Sequence, residues 1–264
     1  MKNEKLAPWV KFIWQLSVSD AELHYKLLPT DCIDVIINLA GDMIYEVEKQ
    51  KLVAPRFHIN GLRRKHSYIH QENTVLLYGI SFYPYGLYPF VNKSITGLQN
   101  AIIDLFDFAP DMAGKLEQAV ETVKNRTASD VITGIEQALL SVLAVKEDFP
   151  EKAGFIFEFM TADIPLTVKD FCDSRSLNIK TFERMVLSCT GFTPKTLQNI
   201  RRFQIAGNQL THNPAAGLAG IALDNQFADQ AHFTKEFRHF SGASPRKFIS
   251  EKKSVKENAA YLYL

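Results

Sequence analysis

Apolar positions change their period close to residue 97. Before it they come in short dense runs, at residues 10–16, 33–39 and 75–82, rich in β-branched and aromatic side chains. Such side chains suit the half-buried pleated surface of a sheet. Turn-formers separate the runs: Pro29-Thr-Asp31, Gly41-Asp42, Asn60-Gly61 and Tyr83-Pro84-Tyr85-Gly86. The spacing predicts a small β barrel or sandwich, closed or folded over so that its edges are hidden. After residue 97, apolar residues recur at helical spacing over 110–123, 128–145 and 152–161. Ser129 or Asp130 is placed to cap the second of these helices. The third ends just before Asp163-Ile-Pro165, and the boundary between two halves is expected at about residues 147–164. No Gly/Ser-rich linker marks it, so the halves are expected to be coupled.

Downstream, one pattern is written twice. Asn178-Ile-Lys-Thr-Phe182-Glu-Arg-Met-Val186 is followed by Gly191-Phe-Thr-Pro194, and Asp229-Gln-Ala-His-Phe233-Thr-Lys-Glu-Phe237 by Gly242-Ala-Ser-Pro245. Each copy opens on a side chain able to accept from the free N–H groups of a new helix. Apolar residues four and eight positions on share one helix face. A short amphipathic stretch precedes each copy, at Phe171-Cys172 and at Ile221-Ala222. Short helix, tight turn, second helix predicts two helix-turn-helix units. Between them residues 195–212 read as one helix that stops before Asn213-Pro214. Its span of roughly 27 Å approaches the ~34 Å between successive major-groove faces on one side of a duplex.

These residues also resemble a known family. Arg202-Phe203 with Ala206 and Leu210, then Ile221-Ala222, Phe227-Ala-Asp229-Gln230-Ala-His232-Phe233, Phe237 and Gly242-Ala-Ser-Pro245 look like the DNA-binding domain of AraC/XylS-type bacterial transcriptional regulators. The usual turn glycines are Ser176 and Gln226 here, so any left-handed conformation must be reached without glycine's freedom. In the first half, Leu28-Pro29-Thr-Asp31-Cys-Ile-Asp34, Asn38-Leu39, Asn60-Gly61, and Gly79-Ile-Ser-Phe82-Tyr-Pro84-Tyr-Gly86 look like a cupin-like domain carried by some of these regulators. The resemblance implies an α+β multidomain chain. A cupin-like β sensor domain (1–96) and a helical segment for packing, linking or dimerisation (97–163) precede an all-α double helix-turn-helix domain (164–253). The partners it implies are operator DNA, a small-molecule effector, a second copy of the chain and RNA polymerase.

Charge adds to this picture. Lys and Arg number 30 and Asp and Glu 29 over the 264 residues, yet residues 165–253 hold 13 basic against 7 acidic side chains. A basic module on an acidic remainder fits a polyanion-binding half. No apolar run approaches the roughly 20 residues that span a bilayer. The first residues carry charges of both signs and no signal-peptide core, and Cys32, Cys172 and Cys189 fit no metal or disulfide spacing. A cytoplasmic location is the expectation.

On the first reader helix, Phe182 and Val186 should turn inward, leaving Lys180, Thr181, Glu183 and Arg184 outward. Cationic side chains donate to guanine or phosphate, and Glu accepts from cytosine N4. On the second, Gln230, His232, Lys235 and Arg238 occupy the outward positions; Gln suits adenine, the two cations suit phosphate. Arg202 either meets phosphate or braces the two subdomains, with Asp224 or Glu236 as its partner. The aromatics Trp9, Trp14, Phe57, Tyr68, Tyr78, Phe82, Tyr83, Tyr85 and Tyr88 could line an apolar pocket, with Trp14, Phe57, Tyr78 and Phe82 as the candidates for contacting an effector. His66, His70 and Glu72 could share a strand face as metal ligands, but Arg63-Arg64-Lys65 beside them opposes a divalent ion, so neither metal nor cofactor is expected. No phosphate loop or nucleophile elbow appears, and Asp31, Asp34, Asp104 and Asp107 read as turn and capping residues. An enzyme is not expected. The competing readings are a cupin-type metalloenzyme with an appended helix-turn-helix module, and an interaction protein that has lost DNA contact.

Overall fold

The computed structural model describes residues 3–19, 23–123, 127–162, 166–213 and 217–254. Pro165, Pro214 and the Tyr261-Leu-Tyr-Leu264 tail lie outside the described residues. Eight strands come first: β1 (Val10–Val18), β2 (Leu23–Leu27), β3 (Ile33–Asn38), β4 (Ile44–Val47), β5 (Gln50–Val53), β6 (Phe57–Asn60), β7 (Ser67–Gln71) and β8 (Val75–Phe82). A ninth, β9 (Ile102–Asp104), returns past residue 96 to pair with β6, Ile103 opposite Ile59. Two sheets result, ordered β1-β8-β3-β6-β9 and β2-β7-β4-β5, with antiparallel pairing throughout.

The central strand β3 shows why this half needs two layers. It pairs with both β6 and β8, and all six of its residues are buried. Its side chains alternate between faces. Ile33, Val35 and Ile37 enter the larger core, while Ile36 joins Leu27, Tyr45, Ile69 and Leu77 between the sheets. Asp34 opposite Ser81 is also buried and accepts from the Ser81 hydroxyl at 2.5 Å. Asp34 is therefore a strand residue inside the β unit and not a turn-former. Asp104 is a cap, accepting from the Phe106 N–H at 2.8 Å.

Helices cover the outer face of the larger sheet. They are α1 (Tyr88–Val91), α2 (Leu105–Phe108), α3 (Pro110–Val123), α4 (Ala128–Val142) and α5 (Phe149–Thr161). The cap of α4 is Thr127, one step earlier than either expected residue. Its hydroxyl accepts from the Asp130 N–H at 3.3 Å, and the Asp130 carboxylate accepts from the Thr127 N–H at 3.0 Å. Asp130 is the reciprocal partner of a capping box rather than the cap.

The second half holds α6 (Val168–Ser174), α7 (Ile179–Thr190), α8 (Pro194–His212), α9 (Leu218–Asp224), α10 (Gln230–Ser241) and α11 (Pro245–Ser254). Its core is continuous with the larger core of the first half, in one cluster from Leu6 to Phe248. Helix α5 makes the join. Phe159 on it meets Phe171 and Phe182 with ring centroids 5.1 and 5.3 Å away, and Glu158 pairs with Arg175. Across a joint packed with these aromatic rings the halves do not behave as freely tethered bodies.

Candidate nucleic-acid interface

The two helix-turn-helix units, α6–α7 and α9–α10, repeat the same turn bonds, although Thr167 caps α6 through its side chain and Gly217 at the start of α9 does not. In the turns, the Leu177 N–H donates to Cys172 O at 2.8 Å and the Phe227 N–H to Ala222 O at 2.9 Å. One residue earlier, Ser176 N–H donates to Asp173 O and Gln226 N–H to Leu223 O, at 3.3 and 3.0 Å. This is the paired closure that normally places glycine in the left-handed region. Ser176 and Gln226 occupy that region themselves, with φ of 53° and 56°.

The reader helices start as their sequence requires. Asn178 Oδ1 accepts from the Thr181 N–H at 3.1 Å, and Asp229 Oδ1 from the His232 N–H at 2.7 Å. Phe182 and Val186 on α7, and Phe233 and Phe237 on α10, are buried. That orientation leaves Lys180, Thr181, Glu183 and Arg184 exposed on one reader, and Gln230, Lys235 and Arg238 on the other. His232 differs from these seven. Its ring turns back to the helix start, where Nδ1 accepts from the Ala228 N–H at 3.3 Å beside the Phe227 ring.

The connector α8 runs 19 residues, about 28 Å of helix. Arg202 on it braces the second unit. Its Nη1 donates to Gln226 O at 3.3 Å, and its guanidinium lies 4.6 Å from the Phe227 ring centroid. Burial holds this guanidinium below its usual range, with Glu236 acting against that. The carbonyl it holds belongs to the left-handed turn residue, so Arg202 supports the turn that lacks glycine.

The readers end in matching ways as well. Thr190 Oγ1 donates to Val186 O and Ser241 Oγ to Phe237 O, at 2.7 and 2.8 Å. Gly191 and Gly242 follow at φ 77° and 74°. Both of these ends touch the first half. Ile95 N–H donates to Ser188 O at 3.2 Å and the Gln99 amide to Gly191 O; His66 N–H donates to Phe240 O at 3.0 Å. A methyl on Gly191 would lie 3.0 Å from Ile95 O, and one on Gly242 would fall 2.6 Å from His66 Nε2. The β unit thus holds both readers by their C-terminal ends, while Lys180, Thr181, Glu183, Arg184 and Gln230 stand toward the opposite ends and Arg238 lies in the last turn of α10.

Of the nine aromatics that could line a pocket, Trp14, Phe57, Tyr78 and Phe82 do not gather at one cavity, whereas Trp9, Tyr83 and Tyr85 do. Phe57, Tyr78 and Phe82 are buried in the larger core, where Phe57 meets Phe106 and Phe82 meets Phe90. Trp14 packs against the cluster between the sheets and donates to Ser81 Oγ at 3.2 Å. A void beside Asp34 and Asn60 amounts to about 10 Å³. An apolar cavity of about 660 Å³ lies outside the sheets instead, lined by Trp9, Tyr83, Tyr85, Leu143, Ala153 and Phe157 among others. Periodicity alone cannot locate such a cavity, because helices distant in sequence build its far wall. His70 Nε2 lies 3.5 Å from Glu46 Oε2 and its ring stacks edge-on to His24, while His66 faces Gly242.

A family model described as "Helix-turn-helix domain" matches residues 171–251, and one described as "Domain of unknown function (DUF6597)" matches residues 3–104. No curated protein matches the chain. Among solved structures, ToxT from Vibrio cholerae O395 is similar at 12% identity and TM-score 0.46, over 92% of this chain and 99% of that one. ToxT bound to (E)-4-(8-methylnaphthalen-1-yl)but-3-enoic acid aligns at the same identity and score, over 90% and 98%. The C-terminal domain of AraT, a response regulator from Geobacillus stearothermophilus, aligns at 18% identity and TM-score 0.33, over 43% and 90%. No helix among the described residues is long and apolar enough to cross a membrane.

Proposed function

We infer that this chain, a DNA-binding transcriptional regulator by its AraC-type helix-turn-helix domain, reads its operator with both units at once. The observation that supports this is the duplication itself: two readers with the same caps, turns and closures, joined by a single 19-residue helix. In this reading Lys180, Thr181, Glu183 and Arg184 enter one major groove, and Gln230, Lys235 and Arg238 the next. His232 orders the start of the second reader. Phosphate contacts supply most of the affinity, which then falls steeply with salt. Base-edge contacts from Arg184 and Gln230 supply sequence preference.

Control by a small molecule is assigned to the 660 Å³ apolar cavity rather than to the inside of the β unit. Its volume suits a drug-sized ligand, and Lys5 on its lining suits an acidic group on that ligand. Helix α5 supplies Ala153 and Phe157 to the cavity and Phe159 to the core of the first helix-turn-helix unit. A ligand that shifts α5 therefore acts on α6 and α7 directly.

Selection of duplexes by the purified full chain, followed by competition with random DNA, tests the reading. The expected result is a bipartite site with its two contacted segments about one turn apart. Retention of random and selected duplex with equal affinity would overturn it.

A further inference from the structure

We propose that a second cavity, between the β unit and α10, binds a small organic anion through phosphate or carboxylate oxygens and so fixes the second reader to the β unit. The cavity measures about 480 Å³ and is lined by Glu48, Arg63, Arg64, Lys65, Asn100 and His239 among others. Three permanent cations face one carboxylate, and that carboxylate is engaged: Glu48 Oε1 lies 2.6 Å from Lys65 Nζ.

Arg63 is the anchor. It is 5% exposed, its Nε donates to Asn60 Oδ1 at 2.8 Å, and its Nη2 is buried with no hydrogen-bond acceptor among the described residues. A guanidinium offers five donors in a fixed fork, and burying them unmatched is unfavourable. Asp34 lies within electrostatic reach of Arg63, and its Oδ1 accepts from Ser81. Arg63 lines the cavity, and an anionic oxygen there at the guanidinium edge would engage the fork with the short, strong geometry that guanidinium makes with phosphate or carboxylate. A duplex backbone could reach the exposed Arg64 and Lys65, but it could not reach a side chain buried as deeply as Arg63.

The position makes the site regulatory, and this half of the proposal rests on the regulator reading above. Arg63 and Arg64 precede His66, whose N–H donates to Phe240 O, and His239 precedes Phe240 on the second reader. Arg64 Nη2 also reaches Thr196 Oγ1 on the connector at 3.2 Å. A ligand bridging Arg63 and His239 spans the joint between the halves and holds it closed. The sequence signal was the run Arg63-Arg64-Lys65, which on its own argued only against a metal.

Calorimetric titration of the full chain with inorganic phosphate, pyrophosphate and succinate, at ionic strength fixed with chloride, tests the site. Saturable binding of at least one probe is expected, at one site per chain. Arg63→Met and Arg64→Gln should each weaken it at least tenfold, and Lys115→Ala on α3 should leave it unchanged. The phosphate and succinate arms separate phosphoryl from carboxylate ligands. At saturation, amide exchange over residues 62–66 and 239–243 should slow. Absence of saturable heat with all three probes overturns the proposal, as does wild-type affinity in both arginine variants. Should Arg63→Met fail to fold, Arg64→Gln and His239→Ala decide the matter. Loss of random-duplex affinity in Arg64→Gln without any anion heat would reassign the cluster to the DNA backbone. Anion binding by a chain that retains no duplex would sink the regulator reading and leave the site standing.

Discussion

Gly242→Ala probes the joint between the halves, because two separate effects meet at that position. The backbone there has φ 74°, and an alanine in the left-handed region costs about 1–2 kcal/mol. Reduced freedom of the unfolded chain returns roughly 0.4–1 kcal/mol of that. The new methyl would also sit 2.6 and 2.7 Å from His66 Nε2 and Nδ1, and closer still to Cε1, so the imidazole must move. Displacing it from its rotamer costs on the order of 1 kcal/mol and breaks its edge contact with Tyr68. Together these predict a loss near 2 kcal/mol, seen as a fall of about 4–8 °C in melting temperature for a cooperative unit of this size. His66→Ala in the same chain should remove the steric part and leave the backbone part. The double-mutant cycle then gives a coupling of about 1 kcal/mol, against the ~0.3–0.5 kcal/mol scatter expected of independent sites. Additivity within that scatter would mean that His66 and Gly242 do not meet in solution, and the clamp on the second reader would fall with it.

Arg184→Ala or Gln230→Ala should lower affinity for the selected site by about 1–3 kcal/mol more than for random duplex; equal loss on both in gel-shift competition would remove them from base readout. Lys235→Ala should weaken both duplexes alike and reduce the slope of log affinity against log salt by about 0.9, and an unchanged slope would exclude a phosphate contact. Gln226→Gly should stabilise the chain by roughly 0.5–1 kcal/mol, since the left-handed strain it relieves exceeds the glycine's entropic penalty; destabilisation in urea titration would show that Arg202 depends on the glutamine side chain as well. His58, fully buried between Tyr45 and the Pro55 carbonyl, is held down to about 4 by burial from an ordinary 6.5. Its folded form binds fewer protons than its unfolded form between those values. Stability should therefore fall as pH drops from 6.5 to about 4, by up to roughly 3 kcal/mol at ~1.4 kcal/mol per unit. A His58→Gln variant should flatten that slope, and an unaltered slope would point to other groups.

What the sequence made legible was local. Asn178, Asp229, Gly191 and Gly242 each act within one helix turn of their own position, so their spacing was enough to place both readers and both closures. Ser176 and Gln226 were identifiable as the sites of left-handed strain for the same reason. The β half was harder to read, because β2, β4, β5, β6 and β7 are only four or five residues long and β5, Gln-Lys-Leu-Val, is exposed along its whole length. Strand β9 follows the change of period at residue 97 and is recognisable only from its pairing with β6. The apolar cavity was legible only in part, through Trp9, Tyr83 and Tyr85 of the aromatic set, for a similar reason. Whether Phe82 or Tyr83 faces open space depends on where α4 and α5 come to rest, and nothing within several residues of either encodes that. Arg63 had a legible charge, but its burial and its orphaned Nη2 are properties of the assembled joint.

The central claim is that one stiff connector holds two like readers over successive grooves, and changing the spacing within a selected site tests it most directly. Inserting five base pairs between the two contacted segments turns one half to the far face of the duplex. Affinity should then fall to that of a single segment, with the salt slope reduced in proportion. Unchanged affinity after the insertion would contradict it.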